Sequence, residues 1–574
     1  MKILLIGINS RYTHTNLALR YMRESLINNN YNVDLKEYTI NNELSYIIGD
    51  MKYENYDYIC FSSYIWNINE VEKVVEIVKK SRENTKIILG GPEVTYNNKK
   101  YLEKFPYADF IIKGEGEEVL PELIYCLENN KRIEQIQGII YKKEGIIKET
   151  SGINKILDIE KLSFPYDSEL KKSNCKEIFK NKYIYYESTR GCPYSCGFCL
   201  SSTDKGIRSL SLERVKEDLD KIYKLNPLII KFVDRTFNYD WQRSKKIMEY
   251  IISKDNNVIV HYEITADIIN EEFLDFLKRV PKNIFQFEIG LQSINKTTLK
   301  EIRRKMDLDN IRLVLKELSK SKNIHLHLDL IAGLPKENYF SFINSFNEAY
   351  NLNADKVQLG FLKVLKGTSV FKRREGNGLV YRSFPPYEII KTSDIKAEEI
   401  QELKKIDNIL SKYYSEGYFT NVVEYLIDKY YKNPFSLYKD ITIYWDNNNY
   451  FKNYHKRRKL YDILYKFSKE REHVNEKYID EFIKDFVANN KNYELPQYID
   501  KNKEEIYKKY KTRILQSSFF VEKYFKKIYK KYNGKIINEF RIVEIYNKAN
   551  LFVYEEECKI YEIEKEFTKL RKEG

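Results

Sequence analysis

The chain has 574 residues, of which 43% are hydrophobic and 32% charged, and its formal net charge is +14. Such a chain can bury sizeable cores without disulfides, and at about 100 to 200 residues per domain it predicts three or four domains. Every apolar run is shorter than the roughly 18 residues that a membrane span needs, which excludes a bilayer-embedded protein and a membrane partner.

The start of the chain, MKILLIGINSRY, predicts a buried strand rather than a secretory signal. The apolar run is short, and no small-residue cleavage site follows it. The seven cysteines are too few and too unevenly spread for a disulfide framework in a chain of this length. We therefore expect a cytoplasmic protein.

Residues 1 to 150 alternate short apolar strands with amphipathic helices. The predicted strands are 2–7, 58–63, 86–91 and 109–114, and the predicted helices include 17–27 and 69–81. Strands separated by helices form a parallel sheet covered on both faces, so we predict a doubly wound domain. Open sheets of this kind bind ligands beyond the carboxyl ends of their strands, here at 9–16, 62–67, 90–93 and 114–117.

A linker, 151 to 180, contains Phe164-Pro165-Tyr166 and leads to a second alternating series from 181 to 370. Its six predicted strands are 183–191, 227–234, 258–265, 284–291, 324–333 and 356–363. Six β/α units predict a (β/α)6 partial barrel, although a full barrel is the alternative. In barrels the chemistry lies at the carboxyl ends of the strands.

From 371 to 574 strand-like runs become rare, and segments such as 397–418 and 503–532 have helical periodicity. We predict a mostly helical third domain with a few short strands near its end. Residues 501–540 hold 12 Lys or Arg against 4 Asp or Glu. A segment of this composition is typical of a solvated helix face or of a surface that binds RNA.

Three of the seven cysteines, Cys192, Cys196 and Cys199, fall within eight residues directly after the first barrel strand. In a loop that contains Gly, thiolates at this spacing can each bind one corner of a cubane iron–sulfur cluster. The fourth iron then has no protein ligand. A structural zinc site would need a fourth ligand close by, and the nearest candidates are Cys175 and His261. The spacing therefore favours a 4Fe–4S cluster.

The CxxxCxxC spacing, with Phe198 before the third cysteine and a six-unit β/α series around it, resembles the radical S-adenosylmethionine (SAM) superfamily. The resemblance implies that the open iron binds SAM. It also implies that an electron from the reduced cluster produces a 5′-deoxyadenosyl radical, which removes hydrogen from a small-molecule substrate. A reductant such as flavodoxin or ferredoxin is the implied partner.

Residues at the strand ends are similar to the SAM contacts of the anaerobic coproporphyrinogen oxidases within this superfamily. Beside Phe198, the matching positions are Glu263, Gln292, Ser293, Arg304, Asp329 and Gly333. The second strand departs from the usual Gly-Gly-Glu-like pattern, and there Asp234 could take the contact with the ammonium group. Carboxylates suit the ribose hydroxyls and the ammonium group of SAM, and the Arg304 guanidinium suits its carboxylate. For any one of these residues a barrel-end ion pair is the alternative. Together they predict a SAM site.

Residues 1 to 150 resemble the cobalamin-binding domain that precedes the barrel in a large branch of the superfamily. The usual loop after the first strand reads D-x-H-x-x-G, and the stretch Tyr12 to Leu17 keeps only His14. The Asp that orients the imidazole is absent, as is the Gly that lets the nucleotide tail pass. The sequence leaves cobalamin binding open, and His14 could bind cobalt, a substrate or its own loop.

The whole architecture resembles a subgroup of this branch that includes queuine lyase, which fragments the queuine side chain to the 7-deazaguanine precursor. Because the cobalamin loop is degenerate, we interpret the chain first as a radical SAM lyase. The candidate substrate contacts are His14, Arg235, His325, His327 and Lys363. A hydrogen-bonded core pair is the alternative for His325 and His327. A cobalamin-dependent methyltransferase and an RNA-modifying radical SAM enzyme are the alternative functions.

Overall fold

The computed structural model describes residues 1–96, 98–204, 206–254, 258–531, 539–555 and 557–572. The chain divides into two units, one of residues 1–354 and 359–400 and the other of residues 355–358 and 401–574. The first unit holds the predicted doubly wound sheet and all of the predicted barrel segment except residues 355–358. No helix in the described ranges is both long enough and apolar enough to span a membrane.

A seven-stranded sheet begins the first unit. Its strands are β1 (Lys2–Asn9), β2 (Asn32–Thr39), β3 (Tyr58–Ser62), β4 (Lys86–Gly90), β5 (Phe110–Ile112), β6 (Ile139–Lys143) and β7 (Ile146–Glu149). They lie in the order β2-β1-β3-β4-β5-β6-β7. β1 to β5 are parallel, and β6 and β7 extend the sheet as an antiparallel hairpin. The sequence analysis missed β2, β6 and β7.

Helices cover both faces of this sheet. They are α1 (Leu17–Asn28), α2 (Leu44–Met51), α3 (Ile68–Ser81), α4 (Pro92–Thr95), α5 (Asn98–Lys104) and α6 (Val119–Glu128). Leu4, Ile6 and Ile8 of β1 belong to one core together with the valines of α3. Ile3 and Leu5 face the other way, into a core with leucines of α1 and α6. Alternate side chains of a strand point to opposite faces, so this is the predicted two-sided burial.

Two short helices, α7 (Asp167–Leu170) and α8 (Cys175–Ile178), precede the barrel region. The strands of that region are β8 (Tyr183–Tyr186), β9 (Thr189–Cys192), β10 (Gly206–Ser209), β11 (Ile229–Phe232), β12 (Ile259–Ile264), β13 (Phe285–Gln292), β14 (His325–Ala332) and β15 (Lys356–Phe361). The six-stranded sheet has the order β15-β14-β13-β12-β11-β8, and its pairs from β8 to β14 are parallel. β8 and β15 lie at opposite edges, which makes this a partial barrel.

The helices between the barrel strands are α9 (Leu212–Lys224), α10 (Trp241–Ile252), α11 (Glu271–Leu277), α12 (Lys296–Glu301), α13 (Leu308–Ser321) and α14 (Tyr339–Asn351), and α15 (Ser369–Lys372) follows β15. On β13 the apolar residues Phe285, Phe287, Ile289 and Leu291 are buried, while the residues between them are only half-buried. The half-buried positions of β13 include Glu288 and Gln292. One face of this strand is therefore polar and available for ligands.

A short antiparallel pair, β16 (Val380–Tyr381) and β17 (Ile389–Lys391), follows the barrel. The remaining elements are α16 (Ala397–Leu410), α17 (Thr420–Tyr430), α18 (Pro434–Asn447), α19 (Arg457–Glu470), α20 (Glu476–Asn489), α21 (Asn502–Lys508), α22 (Lys511–Gln516), α23 (Ser518–Tyr524), α24 (Lys526–Lys531), β18 (Phe540–Ile545), β19 (Lys548–Tyr554), β20 (Cys558–Glu562) and α25 (Glu564–Lys572). β18 to β20 form an antiparallel sheet. The prediction of α/β architecture with a mostly helical C-terminal part is confirmed.

The basic segment 501–540 contains α21 to α24, and its residues 532–538 lie outside the described ranges. Tyr507, Ile514, Phe520 and Ile528 pack into a core with residues of β18 and β19. Most of the described lysines of this segment are exposed. This amphipathic arrangement favours a solvated helix face, which was the first of the two interpretations of the segment.

Because β1 lies in the core, an Ile→Ala substitution in β1 should lower the free energy of unfolding far more than the same substitution at an exposed position. Ile6 is fully buried, whereas Ile146 on the edge strand β7 is 63% exposed. We expect Ile6→Ala to lower the free energy of unfolding by about 2–5 kcal/mol, because it leaves a cavity. The matched control Ile146→Ala should change it by less than about 0.5 kcal/mol. Urea denaturation followed by circular dichroism measures both, and equal shifts would contradict the assignment.

Candidate functional site

The three predicted cluster cysteines lie on a loop that the hairpin of β9 and β10 closes. Gly191 has a φ of +99°, and the Gly206 carbonyl oxygen lies 2.0 Å from where a Cβ of residue 191 would be. Only glycine permits this close crossing. Within the loop, the Gly197 N–H donates to the Ile302 carbonyl, and the Gly197 carbonyl accepts from the Val370 N–H. The cysteine loop is therefore held at its base and at its tip.

A cavity of about 230 Å³ adjoins this loop. It brings together the predicted residues Cys192, Cys196, Phe198, Cys199, Arg235, Glu263, Gln292, Arg304 and Asp329. In the described part of the chain, no three His, Cys, Asp or Glu side chains converge closely enough to hold a single metal ion. Three thiols spread around one cavity instead suit a cluster that bridges them. The donor set fits a 4Fe–4S cluster.

Several polar atoms around this cavity have no hydrogen-bond partner among the described residues. They are Gln292 Oε1, Arg304 Nε and Asp329 Oδ1, and all three are buried. Asp329 Oδ1 lies 3.2 Å from His327 Nε2, but the pair is not aligned as a hydrogen bond. Buried polar groups in folded proteins nearly always have partners. This set fits a polar ligand, such as SAM, that supplies both donors and acceptors.

Arg304 links the barrel to the cysteine loop. Its Nη2 donates to the Gly290 carbonyl, and its Nη1 lies 3.7 Å from Cys196 Sγ. Burial raises the pKa of the Cys196 thiol, and the Arg304 guanidinium acts against that shift. The neighbouring Arg303 is exposed. The structure thus places Arg304, and not Arg303, in the cavity.

Two histidine–carboxylate pairs lie along the polar side of the barrel strands. His261 Nε2 is 3.2 Å from Glu288, and His327 Nε2 is 3.2 Å from Asp329. The hydrogen bond from His261 lowers the pKa of Glu288 to about 2, and burial raises the pKa of Asp329. The sequence analysis missed Glu288. The signal for it was the alternation of β13, which places it on the same side as Gln292.

The predicted contact of Asp234 with the SAM ammonium group is corrected by the structure. Asp234 is completely buried and does not line the cavity. Its carboxylate accepts hydrogen bonds from the N–H and hydroxyl of Ser188 and from the N–H of Thr189. Burial raises its pKa to about 6. Both carboxylate oxygens therefore fix the turn between β8 and β9, which leads into the cysteine loop.

Ser293 and Gly333 also lie beside the cavity without lining it. The Ser293 hydroxyl donates to Glu337 at 2.6 Å, and burial raises the pKa of Glu337 to about 7. Gly333 has a φ of +80°, and Ile389 lies within 2.7 Å of where its Cβ would be. In the structure, Ser293 and Gly333 shape the turns after β13 and β14.

Two of the predicted substrate contacts, His325 and Lys363, lie away from this cavity. His325 is exposed at the start of β14, at the opposite end from the cavity. Lys363 is exposed beyond β15, where it forms a β-bridge with Glu388. Neither lines a cavity described here. His325 shares a face of β14 with His327, but two residues span about 6.6 Å along a strand, and of the two only His327 lies beside Asp329.

A second cavity, of about 930 Å³, lies at the carboxyl edge of the first sheet. Its walls come from the loops after β1, β3, β4 and β5 and from barrel residues that include Tyr185, Glu187 and Arg190. This is the edge at which open parallel sheets bind ligands. Arg235 and Glu263 line this cavity as well as the smaller one, so the two cavities adjoin at these residues.

His14 lines the larger cavity, and its Nδ1 lies 2.7 Å from the Tyr185 hydroxyl. Burial lowers the pKa of His14, and the charges of Lys231 and Arg11 lower it further, so the imidazole is neutral at pH 7. In the tautomer whose Nδ1–H donates to Tyr185, Nε2 keeps its lone pair. Tyr185 thus makes the contact with Nδ1 that, by the resemblance, the missing Asp would make to orient the imidazole. Sequence reasoning missed it because the two residues are 171 positions apart.

A buried ionic network joins the loop after β5 to the cysteine hairpin. Arg190 lies 3.2 Å from Glu115, 2.9 Å from Glu117 and 2.8 Å from Glu187. Arg208 of β10 lies 2.8 Å from Glu115. The side chains of this network are at most 17% exposed, so the pairs are weakly screened. The 114–117 loop, which was predicted to border a ligand site, therefore also holds the β9–β10 hairpin through ion pairs.

Three family models match the chain. They are described as the B12 binding domain, over residues 3–124, the Radical SAM superfamily, over residues 186–349, and Protein of unknown function (DUF4080), over residues 375–564. The chain therefore contains a B12-binding domain and a radical SAM domain. Its 4Fe–4S cluster and SAM cofactors are thereby confirmed, and the B12-binding domain supports the cobalamin that the sequence left open.

The chain is 26% identical over 322 residues to the cobalamin-dependent radical SAM methyltransferase TokK of Streptomyces tokunonensis, a match covering 53% of this chain and 47% of TokK. It is 25% identical over 344 residues to the uncharacterized methyltransferase PH0819 of Pyrococcus horikoshii, covering 58% and 73%. The chain therefore spans only about half the length of TokK.

In fold, the chain is similar to the cobalamin-dependent SAM radical enzyme OxsB, in a structure with aqua-cobalamin and SAM bound. The TM-score is 0.60 at 16% identity, and the match covers 85% of this chain and 79% of OxsB. TokK and PH0819 are both named as methyltransferases. These relatives favour the methyltransferase hypothesis over the queuine lyase hypothesis that the sequence analysis placed first.

The ionic network predicts that Arg190 stabilises both the fold and the cysteine loop. Arg190→Met nearly keeps the side-chain volume but leaves Glu117 and Glu187 without their cation, and it leaves Glu115 with Arg208 alone. We expect it to lower the free energy of unfolding by about 3–5 kcal/mol and to reduce the iron bound after cluster reconstitution. Arg303→Met, at an exposed position, is the matched control and should change stability by less than about 0.5 kcal/mol. Urea denaturation and iron analysis measure the effects, and wild-type behaviour of Arg190→Met would contradict this role.

Proposed function

We propose that this chain is a cobalamin-dependent radical SAM methyltransferase that acts on a small-molecule substrate. The observation that carries the proposal is that the cavity of the B12-binding sheet and the cavity of the cysteines adjoin at Arg235 and Glu263. Ligands in the two cavities would therefore face a common space. The names of TokK and PH0819 support methyl transfer as the reaction.

In the smaller cavity, Cys192, Cys196 and Cys199 would bind three irons of the cluster. When bound, the cluster and SAM supply the 5′-deoxyadenosyl radical. Arg304 would hold the SAM carboxylate, because its Nε is buried without a partner among the described residues and its guanidinium already contacts the cysteine loop. Asp329 would hold a hydroxyl or ammonium group of SAM, since its Oδ1 is also buried and has no partner in the described part of the chain.

In the larger cavity, the loops after β1, β3, β4 and β5 would hold cobalamin, which supplies a cobalt centre that carries the methyl group. Glu117 lines this cavity, and its Oε2 is buried without a partner among the described residues. That oxygen would accept a hydrogen bond from an amide of the corrin side chains. His14 would offer Nε2, because Tyr185 engages its Nδ1. Enclosure between the sheet edge and the barrel would exclude water from the reacting groups.

The test is an anaerobic reaction of cluster-reconstituted protein with a reductant, hydroxocobalamin and SAM that carries a deuterated methyl group. We expect the protein to retain cobalamin through gel filtration. We also expect S-adenosylhomocysteine to form, with the label leaving SAM, and this product should depend on cobalamin. Mass spectrometry measures both nucleoside products. Formation of 5′-deoxyadenosine without S-adenosylhomocysteine, with or without cobalamin, would contradict methyl transfer and restore the lyase interpretation.

The cluster assignment makes a separate prediction. Cys196→Ala removes one of the three thiolate ligands, so we expect reductive cleavage of SAM to fall to background while the circular dichroism spectrum stays unchanged. Cys175→Ala is the matched control, since Cys175 lies outside the cysteine loop, and it should cleave SAM like the wild type. Liquid chromatography of the 5′-deoxyadenosine that each variant forms measures SAM cleavage. Persistent cleavage in Cys196→Ala would remove Cys196 from the cluster.

A further inference from the structure

We propose that the substrate carries a carboxylate group, and that Arg235 binds it where the two cavities adjoin. This inference rests on the proposed function, which places the substrate between the SAM site and the cobalamin site. Arg235 directly follows the buried Asp234, which is fixed by Ser188 and Thr189. The backbone that presents Arg235 is therefore held in place beside the cysteine loop.

The guanidinium of Arg235 makes no hydrogen bond within the described part of the chain. Its ion-pair partner is Glu263, at 3.6 Å from Nη1 to Oε1, which is longer than a hydrogen bond. The side chain is 52% accessible to water, and it lines both cavities. Its accessible surface thus faces the space between the two cofactor sites. Five N–H donors directed at an enclosed space are a ready site for an anion.

The other cations that line the two cavities are already engaged. Arg190 binds three carboxylates, and Lys155 lies 2.6 Å from Asp204. Arg304 donates to the Gly290 carbonyl and contacts Cys196. Of the lining cations within the described ranges, Arg235 is the one whose charged group lacks a hydrogen bond. A substrate anion would bind there in preference to the other sites.

The local charge favours a carboxylate over a phosphate. Glu263 lies beside Arg235, and Glu115, Glu117 and Glu187 lie on the wall of the larger cavity. These carboxylates would repel a phosphate dianion, for which a single free guanidinium is too little positive charge. A carboxylate carries one negative charge, and its two oxygens match two parallel N–H groups of the guanidinium. Anchoring this group would hold the reacting carbon at a fixed distance from the cofactors.

The test measures how fast phenylglyoxal modifies individual arginines of the full-length, cluster-reconstituted protein. After digestion with Glu-C, mass spectrometry quantifies the peptide that carries Arg235 and the peptide that carries Arg190. The probes are acetate, acetamide and inorganic phosphate, at equal concentration. We expect 10 mM acetate to slow modification of Arg235 about tenfold, as a dissociation constant of about 1 mM would give. Acetamide, which is the neutral match of acetate, should leave the rate unchanged.

Arg190 provides the internal control, because its guanidinium is paired with three buried carboxylates. It should react slowly with phenylglyoxal whichever probe is present. Equal rates for Arg235 with acetate and with acetamide would overturn the proposal. Stronger protection by phosphate than by acetate would also overturn it and would indicate a phosphate ester. The readout needs neither cobalamin nor turnover. Failure here is thus distinguishable from failure of the proposed methyl transfer, which the labelled SAM experiment detects.

Discussion

Arg190 holds the cysteine hairpin against the first sheet through three carboxylates, and both cavities depend on that attachment. Two of the carboxylates, Glu115 and Glu117, come from the loop after β5, and the third, Glu187, comes from the barrel side. Arg190 stands two residues before Cys192. The same guanidinium therefore fixes the base of the cysteine loop and one wall of the larger cavity. Because the Arg190 guanidinium is buried, loss of one of its partners would leave an uncompensated buried charge and weaken the attachment.

Most of the fold could be predicted because buried parallel strands are continuous apolar runs. β1, β3, β4 and β5 were all found in this way. β2 was missed because its sequence, NVDLKEYT, is polar, and an edge strand with one neighbour can stay only half-buried. The predicted strand 183–191 is in fact β8 and β9. The break between them is made by Asp234, which binds two N–H groups there from 46 residues away in sequence.

The site was predictable where local spacing decides the chemistry. The three cysteines, Phe198 and Arg304 are examples, and all of them line the smaller cavity. Position at a strand end does not reveal whether a polar side chain points into the cavity or back into its own turn. Asp234 points back toward two backbone N–H groups, and Ser293 points back toward the Glu337 carboxylate, which also accepts from Ser345. The contact between Tyr185 and His14 joins two distant segments, so no local pattern could show it.

The larger cavity is walled partly by the first sheet and partly by Tyr185, Glu187 and Arg190 of the barrel region. The B12-binding domain is therefore not a self-sufficient module. A fragment that ended at residue 150 would expose this cavity to solvent on one side and would leave Glu115 and Glu117 without Arg190. An exchange of this sheet between proteins would therefore need to include the barrel residues that complete the wall of the cavity.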